Sequence, residues 1–483
     1  MLHFWMELFG SSDIAVRSLS GLIGVATLPV AWLAGKRVGG RSTAWAALVI
    51  TAVSPFDIYY STEVRMYSLV VLLSGLLLLA VCRALENPSP LRLFWVALFT
   101  AALLYTHYWS LYLMAVVVLL LAFLAYFRPE AREYRYVLAA VVVGALSFLP
   151  WFPIFVFQAR HTGTPWAYPG TLSSVVHALS EFAGGAIPIS SSPLHRVDAF
   201  LLFDLAILAV LGFSIGYGQA RLDRTKRRSA FILGAVVTAT LGLALIGSRI
   251  SDSAYASRYA AVVYLFYVLL AGLGVSLIAN STTRMVMLTS IAVLGIIGSV
   301  PNVYTNRTEA GRTAAIIKAH ISKGDVVGYC PDQLGPAVAR LLPSHELLQL
   351  TFPRGTSPQF VDWVNYAQHI KKAHASSFAH RMEELASGGH TIWFVWAPGY
   401  RHFDNKCHQI SKYIGQDRAY IAKEVLKFQP QRYFEPDIVM EYVPRQSVAA
   451  PSLTVAGARW PAAGRDSSTS ERSLTVAEKD FRK

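Results

Sequence analysis

The sequence predicts an all-α membrane protein of about ten transmembrane helices that ends in a small extracytoplasmic α/β domain. Three observations carry this expectation. Charged residues are only 15% of the chain and apolar residues 54%, with a mean hydropathy of +0.41, whereas soluble domains average about 25% charged. The apolar residues gather into runs of spanning length. The strongly basic loops between those runs can all be placed on one side of a bilayer.

The runs fall near Leu19 to Ala34, Thr43 to Tyr60, Met66 to Cys82, Leu93 to Phe127, Tyr136 to Phe157, Ala199 to Tyr217, Ala230 to Gly247, Tyr259 to Ala279 and Met285 to Val300. The fourth has 35 residues. As one helix it would be about 52 Å long against a hydrocarbon core of about 30 Å, so two helices turning at Thr106-His107-Tyr108 are expected. With that split, Lys36, Arg37 and Arg41; Arg83 and Arg92; Arg128, Arg132 and Arg135; Arg221, Arg224, Lys226, Arg227 and Arg228; and Arg284 share one face. By the positive-inside rule that face is cytoplasmic. The opposite face then carries Ser61 to Arg65, the turn at His107, the segment Gln158 to Asp198, the segment Ser248 to Arg258 and everything after Pro301.

Four stretches follow: an amphipathic outer-face segment 1–18, a multi-span region 19–300, an extracytoplasmic α/β domain 301–445 and a disordered tail 446–483. The third is read from helices and strands of globular length, such as GRTAAIIKAHIS, DVVGY, SSFAHRMEELAS, TIWFVWA and DIVMEYV. The tail is rich in Ser, Ala, Thr and charge without periodicity. No GxGxxG or GxxxxGK[ST] occurs, so no nucleotide site is expected. The net charge of +14 lies in short loops and the tail, which points to the lipid bilayer and its orientation and away from nucleic acid. Cys82, Cys330 and Cys407 are too few for a disulfide framework and have no metal or haem spacing, so they leave the redox compartment open. Met1 opens on LHFWMELFG with no basic stretch before it, so no cleavable signal peptide is expected.

Function is sought in polar groups that lipid would reject. Asp and Arg cost roughly 2.5 to 3.5 kcal/mol at a helix centre on insertion scales. Four polar clusters lie on the outer face. Tyr59-Tyr60-Ser61-Thr62-Glu63-Val64-Arg65-Met66-Tyr67 reads either as an interfacial aromatic belt with a Glu–Arg pair or as a sugar-phosphate site, in which a carboxylate and a guanidinium are flanked by tyrosines. Tyr105-Thr106-His107-Tyr108-Trp109 reads as belt aromatics with a turn histidine, or as part of the same cavity. Arg258-Tyr259 opens a helix, where the arginine could snorkel or bind a lipid phosphate. Gln158 to Asp198 holds Arg160, His161, Trp166, His177, Glu181 and His195, whose histidines are too irregularly spaced to define a metal site.

The run HFWMELFGSSDIAVRSLSGLIGVATLPVAWLAGKRVGGRSTAWAALVITAVSPFDIYYSTEVRMYSL, with YTHYWSLYL after it, resembles the N-terminal part of GT-C glycosyltransferases of the dolichyl-phosphate-mannose protein mannosyltransferase-like group. The likeness covers Leu2 to about Tyr112 and, more loosely, the Arg258-Tyr259 region and the outer C-terminal domain. It implies a GT-C type membrane fold and an enzyme that moves one sugar, with inversion, from a polyprenyl-phosphate donor to an extracytoplasmic hydroxyl on a glycan, lipid or protein. Mannose is the family-average guess for the sugar. A carboxylate would serve as base and cations would stabilise the leaving phosphate. The resemblance implies that Glu63 contacts sugar or acceptor, that Arg65 and Arg258 bind phosphate, and that Tyr59, Tyr60, Tyr67 and His107 line the cavity. Arg17 matches a recurrent arginine of the family.

The same resemblance places a further helix and an outer loop bearing the catalytic acidic residue ahead of the amphipathic segment within which Met1 stands. The catalytic residue is therefore unassigned, with Glu63 as fallback, since Glu7 and Asp13 match no motif. A chain so begun is expected to be nearly inactive. No cofactor is assigned, and a divalent cation is left open. Two other classes fit the same architecture: a non-catalytic membrane scaffold displaying the outer domain, and a lipid or sugar transporter or flippase. The second is disfavoured because the apolar runs are almost free of charge.

Overall fold

The computed structural model describes residues 1–445 except 163, 165–167, 185–196, 198–199, 210–223, 305, 344, 404 and 431. The expected tail 446–483 lies outside the described residues. The helices in chain order are α1 Leu2–Phe9, α2 Asp13–Val53, α3 Pro55–Ser61, α4 Tyr67–Glu86, α5 Pro90–Thr106, α6 Ser110–Phe127, α7 Arg132–Leu146, α8 Phe152–His161, α9 Leu172–Gly184, α10 Phe200–Ala209, α11 Arg224–Ile250, α12 Ala261–Leu277 and α13 Ser281–Tyr304.

Among the described residues, seven helical segments are long and apolar enough to cross a membrane, against the ten expected. Three places account for the difference. The two runs Leu19 to Ala34 and Thr43 to Tyr60 are two helical legs within α2, counted together in that seven and separated at Gly40, where the backbone is not helical (φ 80°, ψ −165°) and the chain folds back so that Gly35 lies against Ala44. This backbone conformation is strained for a side chain but open to glycine. The long run does break where expected, since α5 ends at Thr106 and α6 begins at Ser110. The α5 half is a shorter apolar helix. The run Ala199 to Tyr217 is described only in part, as α10.

Burial explains how these helices are arranged. Every residue of α12 from Ala261 to Val275 is buried, so this helix, apolar on all sides, stands at the centre of the bundle. The outer helices leave large apolar side chains exposed, among them Leu22, Val25, Leu119, Phe123 and Phe127. Such surface suits hydrocarbon and would be anomalous in water.

After α13 come α14 Ala310–Lys318, β1 Val326–Cys330, α15 Gly335–Ala339, β2 Leu348–Thr351, α16 Tyr366–Lys372, α17 Ala375–Leu385, β3 Ile392–Trp396, α18 Lys406–Gln416, β4 Tyr420–Leu426 and β5 Ile438–Pro444. The strands form one mixed sheet of order β2-β1-β3-β5-β4, parallel across β2-β1-β3 and antiparallel across β3-β5-β4. Both faces are covered. Ile370, Phe378, Met382, Ile410 and Ile414 pack on one face, and Ala314, Ile317, Leu334 and Val338 on the other. Strands buried on both faces read as continuous apolar runs, which is why β1 and β3 were visible in the sequence. The edge strands were not: β2 has four residues, and four consecutive residues of β4 are exposed.

Cys330, at the end of β1, is disulfide-bonded to Cys407 at the start of α18, 77 residues away. Spacing alone offers no reason to pair them, because the pairing depends on the sheet bringing the two elements together. Among the described residues Cys82 is the free cysteine. Thiol labelling of the denatured, unreduced protein from cells should therefore modify Cys82 alone, and three labelled thiols would remove the bond. Replacing both partners by serine should cost the sheet domain about 4 kcal/mol in the chain-entropy model, read as a shifted denaturation midpoint.

Candidate functional site

Helix α3 is built by its own sequence. Ser54 caps it, the hydroxyl oxygen accepting from the Asp57 N–H at 3.3 Å and donating to the Phe182 carbonyl at 3.1 Å, and Pro55 occupies the first helical turn. At the other end the Thr62 hydroxyl reaches the carbonyls of Ile58 (3.2 Å) and Tyr59 (3.0 Å). The chain then turns through Glu63, Val64 and Arg65 into α4. Gly24 of α2 passes so close that a Cβ there would lie 2.1 Å from Ser61 Oγ. The end of α3, and with it the Glu63 turn, is thus fixed against the first leg of α2.

Arg307, on the link between α13 and α14, completes this corner. Its guanidinium donates to the Tyr59 carbonyl (2.7 Å) and to Thr62 Oγ1 (2.5 Å). It also lies 3.8 Å from the centre of the Tyr59 ring, a cation–π distance. Its own carbonyl accepts from the N–H groups of Phe434 (2.8 Å) and Glu435 (3.3 Å), and the Glu309 N–H donates to the Glu435 carbonyl at 3.0 Å.

Between these walls lies a cavity of about 450 Å³, within the usual range for small-molecule sites. Tyr59, Tyr60, Glu63, Arg65 and Arg258 are among the residues that line it. Arg17 lines it too, as does Asp13, whose carboxylate meets Arg340 at 3.3 Å. Tyr67 and His107 are not among its lining residues. They are buried behind it in an aromatic chain: Tyr60 to Tyr67 5.0 Å, Tyr67 to His107 5.9 Å and His107 to Tyr259 5.4 Å between ring centres. His107 Nδ1 accepts from the Trp109 N–H at 3.1 Å, so its ring also holds the α5–α6 turn.

Five arginines (Arg17, Arg65, Arg258, Arg307, Arg340) and three carboxylates (Asp13, Glu63, Glu435) line the cavity, leaving two positive charges in surplus. Guanidinium groups match phosphate oxygens in geometry as well as charge. Glu63 Oε1 lies 3.9 Å from Arg65 Nε. Its Oε2 is buried with no hydrogen-bond partner among the described residues, and such an atom is costly unless something else meets it. Burial pushes the Glu435 carboxyl above its ordinary range, against the pull of Arg258 and Arg65 and with a small push from Glu63. Arg65 is exposed, as its place at a helix end suggests, whereas Arg258 is half-buried beside the Tyr259 ring.

Sequence reasoning missed Arg307, Arg340 and Glu435. The one available signal was a polar break, Asn306-Arg307-Thr308-Glu309, directly after the last apolar run. In the fourth polar cluster, His177 and Glu181 are paired on α9 at 2.8 Å, and the hydrogen bond raises the histidine's pKa. Trp166 and His195 lie outside the described residues. Among the described residues no group of three or more His, Cys, Asp or Glu is arranged to hold a metal ion.

Residues 1–154 match the family model described as dolichyl-phosphate-mannose-protein mannosyltransferase. The crystal structure of ArnT from Cupriavidus metallidurans in the apo state superposes with a TM-score of 0.54 at 14% identity, covering 93% of this chain and 87% of that one. The structure of the same protein bound to undecaprenyl phosphate gives 0.54 at 13% identity over 93% and 88%. No curated protein sequence matches the chain. The first third of the chain thus carries the sequence pattern of that mannosyltransferase family, and the chain has the multi-pass membrane fold of ArnT, a GT-C glycosyltransferase.

If Arg307 holds the corner together, Arg307→Ala should destabilise the protein by about 1–3 kcal/mol through the hydrogen bonds lost from a half-buried group. Arg65→Ala, an exposed position, should change it by no more than about 0.5 kcal/mol. Thermal unfolding in detergent, followed by tryptophan fluorescence, separates the two. Equal effects would contradict the assignment.

Proposed function

We propose that this protein is a GT-C type glycosyltransferase that takes a sugar from a polyprenyl-phosphate carrier. It transfers that sugar, with inversion, to a hydroxyl on an extracytoplasmic glycan, lipid or protein. The carrying observation is the arginine-rich cavity at the helix ends. A lipid-borne donor can place its phosphate there while its chain stays in hydrocarbon. The undecaprenyl phosphate present in one ArnT structure is a ligand of that chemistry. Mannose follows the description of the matching family.

The extracytoplasmic placement of the sheet domain rests on two independent features. The basic loops gather on the other face, and the Cys330–Cys407 bond belongs to an oxidising compartment.

In this reading Arg258 and Arg65 bind the phosphate and take up its charge as it leaves. Glu63, with one oxygen buried and unmet, holds a sugar hydroxyl. Tyr59 and Tyr60 form the floor, while Tyr67 and His107 set the positions of those rings from behind. The transfer itself needs a base on the acceptor hydroxyl and a cationic site for the departing phosphate. The cavity supplies the second directly.

Membranes containing the protein as expressed from its own gene should transfer label from radiolabelled polyprenyl-phosphate sugars. Arg258→Ala should reduce transfer at least tenfold, since a hydrogen bond to a charged group contributes about 1.5–3 kcal/mol. Absence of transfer from every donor would overturn the enzymatic reading. Undiminished transfer by both Arg65→Ala and Arg258→Ala would remove these residues from the reaction.

A further inference from the structure

Among the described residues three aromatic side chains line the cavity, and they are not equivalent. Tyr59 and Tyr60 belong to the helical wall and are only 4% and 3% exposed, so their rings are committed to the packing behind them. Phe434 comes from the sheet domain, on the short strap that leads into β5, and is 43% exposed. A lone apolar side chain on an open surface needs no explanation. Phe434 stands instead in a concave site whose other walls carry arginines and carboxylates.

The strap holds that residue in place. The Phe434 N–H donates to the Arg307 carbonyl at 2.8 Å, and the Arg307 guanidinium donates to the Tyr59 carbonyl at 2.7 Å. Two hydrogen bonds through one residue therefore fix the strap against the tyrosine wall. Glu435 is held as well, its N–H on the Arg307 carbonyl at 3.3 Å and its carbonyl on the Glu309 N–H at 3.0 Å. The strap lies close enough to Arg258 and Arg65 for their charges to act on the Glu435 carboxyl. A phenyl ring on so fixed a backbone loses little freedom when a ligand covers it.

We propose that Phe434 is the platform on which the sugar of the lipid-linked donor lies, and that it makes the site prefer a loaded carrier to an empty one. The proposal rests on the transferase reading above. A sugar is one bond away from the phosphate that carries it, so the cavity that holds the phosphate must hold the sugar too. A glycosyl phosphate presents three kinds of surface: the phosphate, a rim of hydroxyls and an apolar C–H face of the sugar ring. The arginines answer the first. Glu63, whose Oε2 is buried without a hydrogen-bond partner among the described residues, answers the second. The open Phe434 ring answers the third, because stacking it on the C–H face takes apolar area of both out of water. A carrier phosphate without a sugar needs the arginines alone. The ring thus adds affinity for the substrate and none for the spent carrier, which favours its release.

The test uses the protein as expressed from its own gene, in nanodiscs, as wild type, Phe434→Ala, Phe434→Leu and Phe434→Tyr. Binding is measured for undecaprenyl phosphate and for its mannose-, glucose- and galactose-bearing forms. Wild type should bind at least one sugar-bearing form more tightly than the bare lipid. Phe434→Ala should weaken that form by about fivefold or more and leave the bare lipid within about twofold, which also reports an intact fold. Phe434→Tyr should keep the preference, and Phe434→Leu, apolar but not flat, should keep only part of it. If Phe434→Ala retains the full preference, or if wild type shows none, the proposal is overturned while the arginine site stands. Equal weakening of bare and loaded lipid would place the ring against the isoprenoid chain and overturn the proposal in the same way. If wild type binds no polyprenyl phosphate, loaded or bare, the transferase reading falls and this inference with it.

Discussion

The site depends on one residue placed between two parts of the chain. Arg307 holds the C-terminal end of α3 with its guanidinium and the strap before β5 with its carbonyl. Remove its side chain and the turn carrying Glu63 and Arg65 loses its link to the sheet domain. Loss of the strap contacts would free Glu435 in the same way. The cavity is therefore a joint, and its charge pattern exists only while both walls are in register. Two further contacts support the joint at a distance, Arg340 with Asp13 and Arg401 with Asp252. The first is an exposed pair, worth little alone, and the second sets a mostly buried guanidinium against an exposed carboxylate. The Arg307 corner is half-buried and stacked at 3.8 Å on the Tyr59 ring.

This arrangement explains why the bundle is organised around a fully buried α12. That helix begins directly after Arg258 and Tyr259, so packing on all sides fixes the direction in which Arg258 enters the cavity. Behind the cavity wall, the rings of Phe56, Tyr60, Tyr67 and Tyr259 form a rigid layer at edge and tilted contacts.

Much of this was legible in the sequence. The apolar runs gave the helices, and length arithmetic placed the break between α5 and α6. The period-2 and continuous apolar strands gave β1, β3 and β5. The tyrosine-rich turn from Tyr59 to Tyr67 was recognisable because Glu63 and Arg65 sit where lipid would otherwise reject them. The rest was hidden for physical reasons. Arg307, Arg340 and Glu435 lie on irregular segments with no motif, and Arg307 meets Tyr59 across 248 residues. Tyr67 and His107 share the aromatic pattern of the lining residues but point into the layer behind them, a difference set by helix rotation. The Cys330–Cys407 bond depends in the same way on sheet order.

The central claim is that the arginines at the helix ends form a binding site for a lipid-linked phosphate. The most direct measurement is titration of the full chain in nanodiscs with undecaprenyl phosphate, read by native mass spectrometry, for wild type and Arg258→Ala. The account predicts saturable binding to one site, weakened at least tenfold in the variant by loss of a charge-assisted contact. Equal binding by the two proteins, or none by wild type, would contradict it.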